Sequence, residues 1–203
     1  MNHLEIISVH YKTPELIYRQ YESIRKFYPK IKYRIIDGSD DNILYFNDLE
    51  KKDNNFSVIK FGYNIHHGPG MDYAIKTSDY TDLLILDSDV WIQKPMIEDM
   101  IKLHLGYSVG KKIIVDSTGF ESWQKTNTGD SQFIYEYIHP YCMLIKKSEY
   151  LKYSPFIKHG APCINAMVDI YKKNKTENLI SFPIEEFIKL EIRGTRKKWG
   201  INL

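Results

Sequence analysis

The chain has 203 residues and a formal net charge of +2, with acidic and basic side chains interspersed over most of its length. A chain of this length fits one domain that buries about 70% of the surface exposed by the unfolded chain, so folding needs no disulfide or structural metal. The balanced charge argues against a nucleic-acid partner, because such surfaces concentrate lysine and arginine. Cys142 and Cys163 form no metal-binding pattern, and we expect free thiols in a reducing compartment.

Membrane insertion and secretion are not indicated by the sequence. No apolar run approaches the roughly 18 residues that a membrane-spanning helix needs. The N-terminal segment MNHLEIISV lacks the basic and long apolar regions of a signal peptide. We therefore expect a soluble, cytoplasmic protein, which leaves peripheral membrane contact and the oligomeric state open.

The first half of the chain alternates apolar runs with helical patterns. Pro14 opens a helix at a position where its missing N–H costs no hydrogen bond, and apolar residues then recur at helical spacing. The sequence HHGPGMD (66–72) predicts a turn before a short helix, because two glycines flank a proline. The predicted elements are a strand over 4–11, a helix over 14–27, a strand over 33–37, a short helix over 42–51, a strand over 56–62, a helix over 71–77 and a strand over 82–87.

The second half is less regular. Ser148 is a possible helix N-cap, since serine side chains accept hydrogen bonds from helical N–H groups. A polar loop over 119–132 separates two predicted strands and contains Trp123, a candidate platform for an acceptor sugar. The predicted elements are a helix over 96–105, strands over 112–117 and 141–147, a helix over 164–173 and a strand over 178–184.

This order predicts a single α/β domain with a mostly parallel central sheet covered by helices on both faces, because the strands are continuous apolar runs. Ligands bind such sheets outside the carboxyl ends of the strands. The strands of the first half deliver polar residues to that edge: His10, Tyr11, Thr13, Asp37, Asn64, Asp87 and Asp89.

The segment LLILDSDVWIQKP (83–95) runs from a buried strand into two aspartates. Side chains two apart on extended backbone point the same way, and small Ser88 lets Asp87 and Asp89 reach one cation. Carboxylate oxygens suit Mg²⁺ or Mn²⁺, which would carry a diphosphate at its open positions. Asp-x-Asp is a short pattern that also arises by chance, but here it directly follows an apolar strand.

Four segments in order, ISVHYKTPEL, IIDGSDDN, GYNIHHGPGMDYAI and LLILDSDVWIQKP, resemble those of GT-A fold glycosyltransferases, close to the family-2 group. HGAPC–MVD and RGTR resemble the acceptor helix and closing loop of some smaller members. The resemblance covers most of the chain. It implies a nucleotide-sugar-binding half over 1–92, and an acceptor-binding half with a closing C-terminal loop over 93–203.

The resemblance also implies roles for the residues at the strand ends. Tyr11 would pack on the base of a UDP-sugar, and Asp37 would hydrogen-bond the base or the ribose. Asp87 would contact the ribose or the water shell of the metal, and Asp89 would bind the metal directly. The same donor site is predicted to include three neighbouring residues, Thr13, Asn64 and Ser88.

Further donor contacts are predicted around the glycine-rich segment and in the basic tail. Backbone at Gly68–Gly70 can approach a ligand closely, so that His67 or Asp72 could face the sugar, although a plain turn explains the same pattern. His66 and His67 are not predicted to form a metal pair, since adjacent side chains on extended backbone diverge.

Arg193 and Arg196 fit a diphosphate clamp, because guanidinium matches phosphate geometry; a solvated C-terminus is the alternative.

The chain departs from the family at the catalytic base. Inverting members usually carry an acidic pair at the start of the acceptor helix, whereas this helix is CINAMVDIYKK. Asp169 is the first candidate for the base, and its alternative is a surface aspartate beside Lys172 and Lys173. His159 is the second candidate, because histidine suits proton transfer near neutral pH.

A second departure concerns the metal. Related proteins often place a metal-binding histidine before the RGT-like loop, whereas this chain has FIKLEIRGTR. Glu191 could substitute as an oxygen ligand.

We therefore expect a metal-dependent, inverting transferase that moves a sugar from a UDP-sugar to a hydroxyl of a glycan or other acceptor. One alternative is a catalytically degenerate nucleotide-binding module. The other is a nucleotidyltransferase, which HYKTPEL disfavours because it lacks a glycine-rich phosphate loop.

Overall fold

A computed structural model describes residues 3–119, 135–158 and 160–191. Within these ranges the elements are β1 Leu4–His10, α1 Pro14–Phe27, β2 Lys32–Asp37, α2 Asn47–Lys52, β3 Phe56–Lys60, α3 His67–Thr77, β4 Asp82–Leu86, β5 Val90–Ile92, α4 Ile97–Leu103, β6 Ser108–Val115, β7 Tyr135–Lys146, α5 Lys147–Tyr150, α6 Ile164–Lys172, β8 Leu179–Ser181 and β9 Ile188–Leu190.

The central sheet has seven strands in the order β3-β2-β1-β4-β7-β6-β8. The first four strands are mutually parallel, β7 runs antiparallel to both β4 and β6, and β8 is parallel to β6. This confirms the predicted α/β class and mostly parallel sheet. It also means that β1, β2 and β4 present their carboxyl ends at one edge.

Two apolar layers cover the sheet, one on each face. Successive side chains of a strand point to opposite faces, and β4 shows this directly. Leu84 and Leu86 pack in one layer with α1 and α4, whereas Leu83 and Ile85 pack in the other with α3 and α6. Helices on both faces were predicted and are confirmed.

The start of α3 corrects one prediction. The segment predicted as a turn forms the first turn of the helix, which begins at His67 rather than Met71. Pro69 is tolerated there because the first N–H groups of a helix have no intrahelical partner. Gly68 is required by packing, since a Cβ at that position would overlap the carbonyl oxygen of Lys158.

Other boundaries also differ. Ser148 is not an N-cap: it lies inside α5, whose cap position is Lys146, and no side chain caps that helix. Strand β6 begins at residue 108 rather than at the predicted 112. Strand β7 begins at residue 135 rather than at the predicted 141. The two-stranded sheet of β5 and β9 was not predicted, because strands of three residues carry no periodic pattern.

The two cysteines are free, as expected, and both are buried. Over the part of the chain that the structure describes, every helix is too short or too polar to cross a membrane.

Candidate functional site

The site lies where β1, β2 and β4 end. His10 and Asp37 are the last residues of β1 and β2, and they are partners in the parallel register. The Nδ1 atom of His10 lies 2.9 Å from Oδ1 of Asp37, and the Thr13 N–H donates to Nε2 at 2.9 Å. Because Nε2 accepts, Nδ1 carries the hydrogen and donates it to the carboxylate. The network therefore fixes a neutral imidazole beside an ionised Asp37.

Asp37 keeps one oxygen uncommitted. Oδ1 also accepts the Ser39 N–H at 2.9 Å. Burial raises the pKa of the carboxyl, but hydrogen bonds from His10 and Ser39 lower it more, and the net pKa is below its ordinary value. Oδ2 is buried and accepts no hydrogen bond from the described residues. Thr13 Oγ1 is likewise buried without a hydrogen-bond partner among them. Buried polar atoms of this kind are completed by a water molecule or by a ligand.

Gln20 holds the aspartate segment in place. Its side-chain amide donates to the carbonyl oxygens of Asp87 at 2.7 Å and of Val90 at 2.5 Å. Its own oxygen accepts from Ser8 Oγ at 2.8 Å and Tyr33 O–H at 2.5 Å, which fixes the amide orientation. The turn from Asp87 to Val90 is therefore anchored on α1. The sequence signal, which was missed, is a polar residue on the apolar face of an amphipathic helix.

His67 lies against the first aspartate. Its Nε2 is 2.8 Å from Asp87 Oδ1, and the two side chains are 25% and 26% exposed. Burial raises the pKa of Asp87, but the charge of His67 lowers it more, so the net pKa is lowered. Conversely, burial lowers the pKa of His67, but Asp87 and then Asp89 raise it above its ordinary value. The helix α3 thus places a histidine with a raised pKa beside the aspartate pair, and Ser88 between the two aspartates is buried.

His139 was missed by the sequence analysis. It lies on β7, the reversed neighbour of β4, and its charge also lowers the pKa of Asp87. Its ring centroid is 4.6 Å from that of Tyr141, whose carbonyl oxygen accepts the Asp87 N–H at 2.9 Å. Two histidines therefore face this aspartate from separate elements. Only the topology reveals the second, because 52 positions separate 87 from 139 in the sequence.

The predicted metal ligands are arranged only in part as expected. The Glu191 N–H bonds to the carbonyl oxygen of Asp89 at 2.9 Å, so the two residues are backbone neighbours. However, Oε2 of Glu191 lies 3.5 Å from Nη1 of Arg19. Among residues 3–119, 135–158 and 160–191, no three histidine, cysteine or acidic side chains group to hold a metal ion. Asp87 and Asp89 alone fit a cation that arrives with phosphates, since Mg²⁺ is often held by one or two carboxylates plus substrate.

Other predicted donor residues lie near this edge with protein partners. The Tyr11 O–H donates to Asp40 at 3.3 Å, and Asp40 also pairs with Lys12. Asn64 is exposed, and its Oδ1 accepts the His66 N–H at 3.0 Å, which shapes the turn before α3.

The two remaining acidic candidates support neighbouring elements. Asp72 accepts the Tyr150 O–H at 2.5 Å and pairs with Lys76 at 2.9 Å, so α3 is tied to α5. Asp169 accepts both the N–H and the O–H of Ser154 through Oδ2, at 2.9 and 2.6 Å. The predicted residues His159, Arg193, Arg196 and Trp123 lie outside the described residues.

Comparison with known proteins gives structural matches only. No protein-family profile and no curated protein sequence matches the chain. A crystal structure of S. aureus TarS 1–349 in complex with UDP superposes with a TM-score of 0.61 at 16% identity, over 91% of this chain and 59% of that one.

The mannosyltransferase PcManGT from Pyrobaculum calidifontis, in complex with GDP-Man and Mn²⁺, superposes with a TM-score of 0.63 at 12% identity. The match covers 89% of this chain and 55% of that one. The galactosyltransferase LgtC, in complex with donor and acceptor sugar analogues, superposes with a TM-score of 0.56 at 13% identity. The match covers 89% of this chain and 73% of that one.

These matches show that the chain has the GT-A fold. The chain spans less than two thirds of the TarS and PcManGT chains that it matches. The same fold also occurs in a structure described as a glucose-1-phosphate thymidylyltransferase from Bacillus anthracis, with a TM-score of 0.54 at 9% identity, over 88% and 86%. The fold alone therefore does not separate sugar transfer from nucleotidyl transfer.

Proposed function

We propose that the chain is a glycosyltransferase that moves a sugar from a nucleotide-sugar, with UDP as the first candidate, to a hydroxyl of an acceptor. The observation that carries this proposal is the convergence at one sheet edge of Asp37, with its open buried oxygen, and the aspartate pair at Asp87 and Asp89. A nucleoside diphosphate needs both features: an acceptor for base or ribose donors, and anionic ligands for a cation on the phosphates.

In this proposal each strand end has one task. Asp37 accepts a hydrogen bond from the base or ribose, close to Tyr11 and Thr13. Asp89 binds Mn²⁺ or Mg²⁺, and Asp87 joins it while pairing with His67. When bound, the cation offsets the diphosphate charge and stabilises the leaving group. Asn64 lies in the loop that leads to His67 and completes the rim.

The proposed base is Asp169, and the proposed outcome is inversion. Oδ2 of Asp169 is occupied by Ser154, which fixes the carboxylate orientation. Oδ1 would therefore take the proton from the acceptor hydroxyl, while the acceptor oxygen attacks the anomeric carbon in line with the leaving diphosphate. His159 is the second candidate for this role, and Arg193 and Arg196 are proposed to bind the diphosphate. The acceptor is proposed to be a glycan bound by the 93–203 half, and no nucleic acid is involved.

A degenerate nucleotide-binding module is the second candidate function. It is favoured by the missing third metal ligand within the described ranges and by the structural hydrogen bonds of Asp169. A nucleotidyltransferase shares the fold, but HYKTPEL at the end of β1 lacks the glycines that would cradle a triphosphate.

Calorimetric titration with UDP, GDP and ADP, each with and without Mn²⁺, tests the proposal. Selective, Mn²⁺-dependent UDP binding, followed by hydrolysis of one UDP-sugar in a screen, supports a transferase. If GDP or ADP binds more tightly than UDP, the proposed donor becomes the sugar nucleotide of that base. Binding without turnover of any nucleotide-sugar, with or without acceptor glycans, favours the degenerate module. Absence of binding to all three nucleotides contradicts the proposal.

A further inference from the structure

A groove of about 640 Å³ lies between α1 and the small sheet, lined by Arg19, Lys26, Trp91, Gln93 and Lys94 among others. We propose that this α1–β5 groove binds an anionic saccharide chain, at a site separate from the nucleotide. The groove is wide and open to solvent, which suits a chain lying along the surface rather than an enclosed small molecule. None of these lining residues belongs to the donor site described above.

Trp91 provides the stacking surface. It is the middle residue of β5, and its neighbours Val90 and Ile92 are buried, so its side chain points away from the core and is partly exposed. The Arg19 guanidinium carbon lies 5.9 Å and the Lys189 ammonium 6.0 Å from the ring centroid. Both distances are within about 6 Å, the outer limit of a cation–π contact. An indole flanked by cations suits a sugar ring that carries an acidic group.

The charge of the groove comes from three separate elements. Arg19 and Lys26 lie on α1, Lys94 follows β5, and Lys189 lies on β9. The acids are Glu22 in the lining and Glu191, which pairs with Arg19 at 3.5 Å. Four cations thus face two acids here, although the whole chain carries only +2. A solvated helix face would keep its cations on one element, so this convergence points to an anionic ligand.

The aromatic content distinguishes between polyanions. Single-stranded nucleic acid is held by successive bases on several aromatic platforms. Trp91 is the one aromatic side chain among the groove lining described. A single platform with surrounding cations suits a saccharide with carboxylate or phosphate groups. The saccharide class rests partly on the proposed function. In addition, Trp91 is two positions after Asp89 in the chain, so their Cα atoms are at most about 7 Å apart.

The test is titration of the full chain with four probes: hexagalacturonate, phosphopentamannose, maltohexaose and the oligonucleotide dT12. We expect at least one anionic saccharide to bind at least tenfold more tightly than neutral maltohexaose and dT12. The probe that binds identifies carboxylate or phosphate as the recognised group. The double variant Arg19→Gln/Lys94→Gln should weaken that binding at least tenfold, and Trp91→Leu should weaken it at least fivefold.

The matched control is Lys102→Gln/Lys152→Gln, two exposed lysines outside the groove, which should leave the affinity within twofold. UDP affinity is measured in the same samples, so that failure of the donor site and failure of the groove are distinguished. The groove proposal is overturned by four outcomes: no anionic saccharide binds, maltohexaose binds equally well, dT12 alone binds, or the groove variants bind like the control.

Discussion

The two ends of β1 and β2 both bury charged side chains, but in different ways. At the amino end, Arg34 Nη2 donates to Glu5 Oε2 at 2.8 Å, and the Ser78 O–H donates to the same oxygen at 2.6 Å. Arg34 also donates to the Ala74 carbonyl at 2.7 Å. At the carboxyl end, Asp37 Oδ1 contacts the His10 imidazole and accepts the Ser39 N–H, and its Oδ2 accepts no hydrogen bond from the described residues.

The difference separates a structural end of the sheet from the end at which we propose that the nucleotide-sugar binds. At the amino end, opposite charges face each other directly and connect β1 and β2 to α3. At the carboxyl end, the partners of the aspartates are histidines rather than arginine or lysine, with His10 beside Asp37 and His67 beside Asp87. A histidine compensates a carboxylate fully only when it is protonated, so this end can still attract a ligand donor group or a cation.

The largest expected effect is at the amino end. Arg34→Met removes the cation beside buried Glu5 and should cost about 3–5 kcal/mol of unfolding free energy, because an uncompensated buried charge remains. Urea denaturation measures the loss. UDP affinity of the remaining folded protein should be unchanged. A loss below 1 kcal/mol would show that Glu5 is solvated or protonated in the native state.

Asp169→Asn separates binding from chemistry. The amide keeps an oxygen for Ser154 but cannot take a proton, so transfer should fall by about a hundredfold or more, with donor affinity unchanged. Steady-state kinetics with the donor and acceptor identified in the screen measure both. Full transfer activity would remove Asp169 from the mechanism.

Asp89→Asn tests the open charge at the carboxyl end. The variant should lose Mn²⁺-dependent nucleotide binding, by about tenfold or more, while thermal unfolding is unchanged. Asp99→Asn, on the exposed face of α4, is the control. Wild-type affinity in the Asp89 variant would contradict a role of this carboxylate in cation binding.

The smallest expected effect is on stability at acidic pH. The pKa of Asp37 is below its ordinary value of 3.8 in the folded state, so its contribution to stability is present above pH 3.8 and is lost as the pH falls through the folded pKa. Urea denaturation from pH 7 to pH 2.5 should therefore show a stability difference between wild type and Asp37→Asn that shrinks at the acidic end. A difference that is constant with pH would show that the carboxyl does not change its pKa on folding.

The sequence predicted those parts of the fold that depend on local pattern. Strands β1 to β4 are apolar runs, and α1 begins at a proline, so their bounds were predicted within two residues. Gly68-Pro69-Gly70 was ambiguous, because such residues suit both a turn and the first turn of a helix. The structure forms a helix there, and a Cβ at Gly68 would overlap the carbonyl oxygen of Lys158, which is far away in sequence.

In the candidate site, too, the sequence predicted the local features but not the contacts between distant residues. The aspartates at strand ends were identified, because a strand must end where its polar residues begin. The pairing of His67 with Asp87, the approach of His139 and the hydrogen bonds of Gln20 depend on contacts across 20 to 70 sequence positions. No local pattern specifies such contacts, and they determine how much of the aspartate charge is already compensated.

The reversal of β7 determines where the connection between β6 and β7 meets the sheet. Strand β6 runs parallel to β4 and ends at Val115, which is paired in register with Tyr135 at the start of β7. Both ends of the connection between them therefore emerge at the edge that carries Asp87. The register of β6 and β7 therefore holds Val115 and Tyr135 at this edge, whatever sequence joins the two strands.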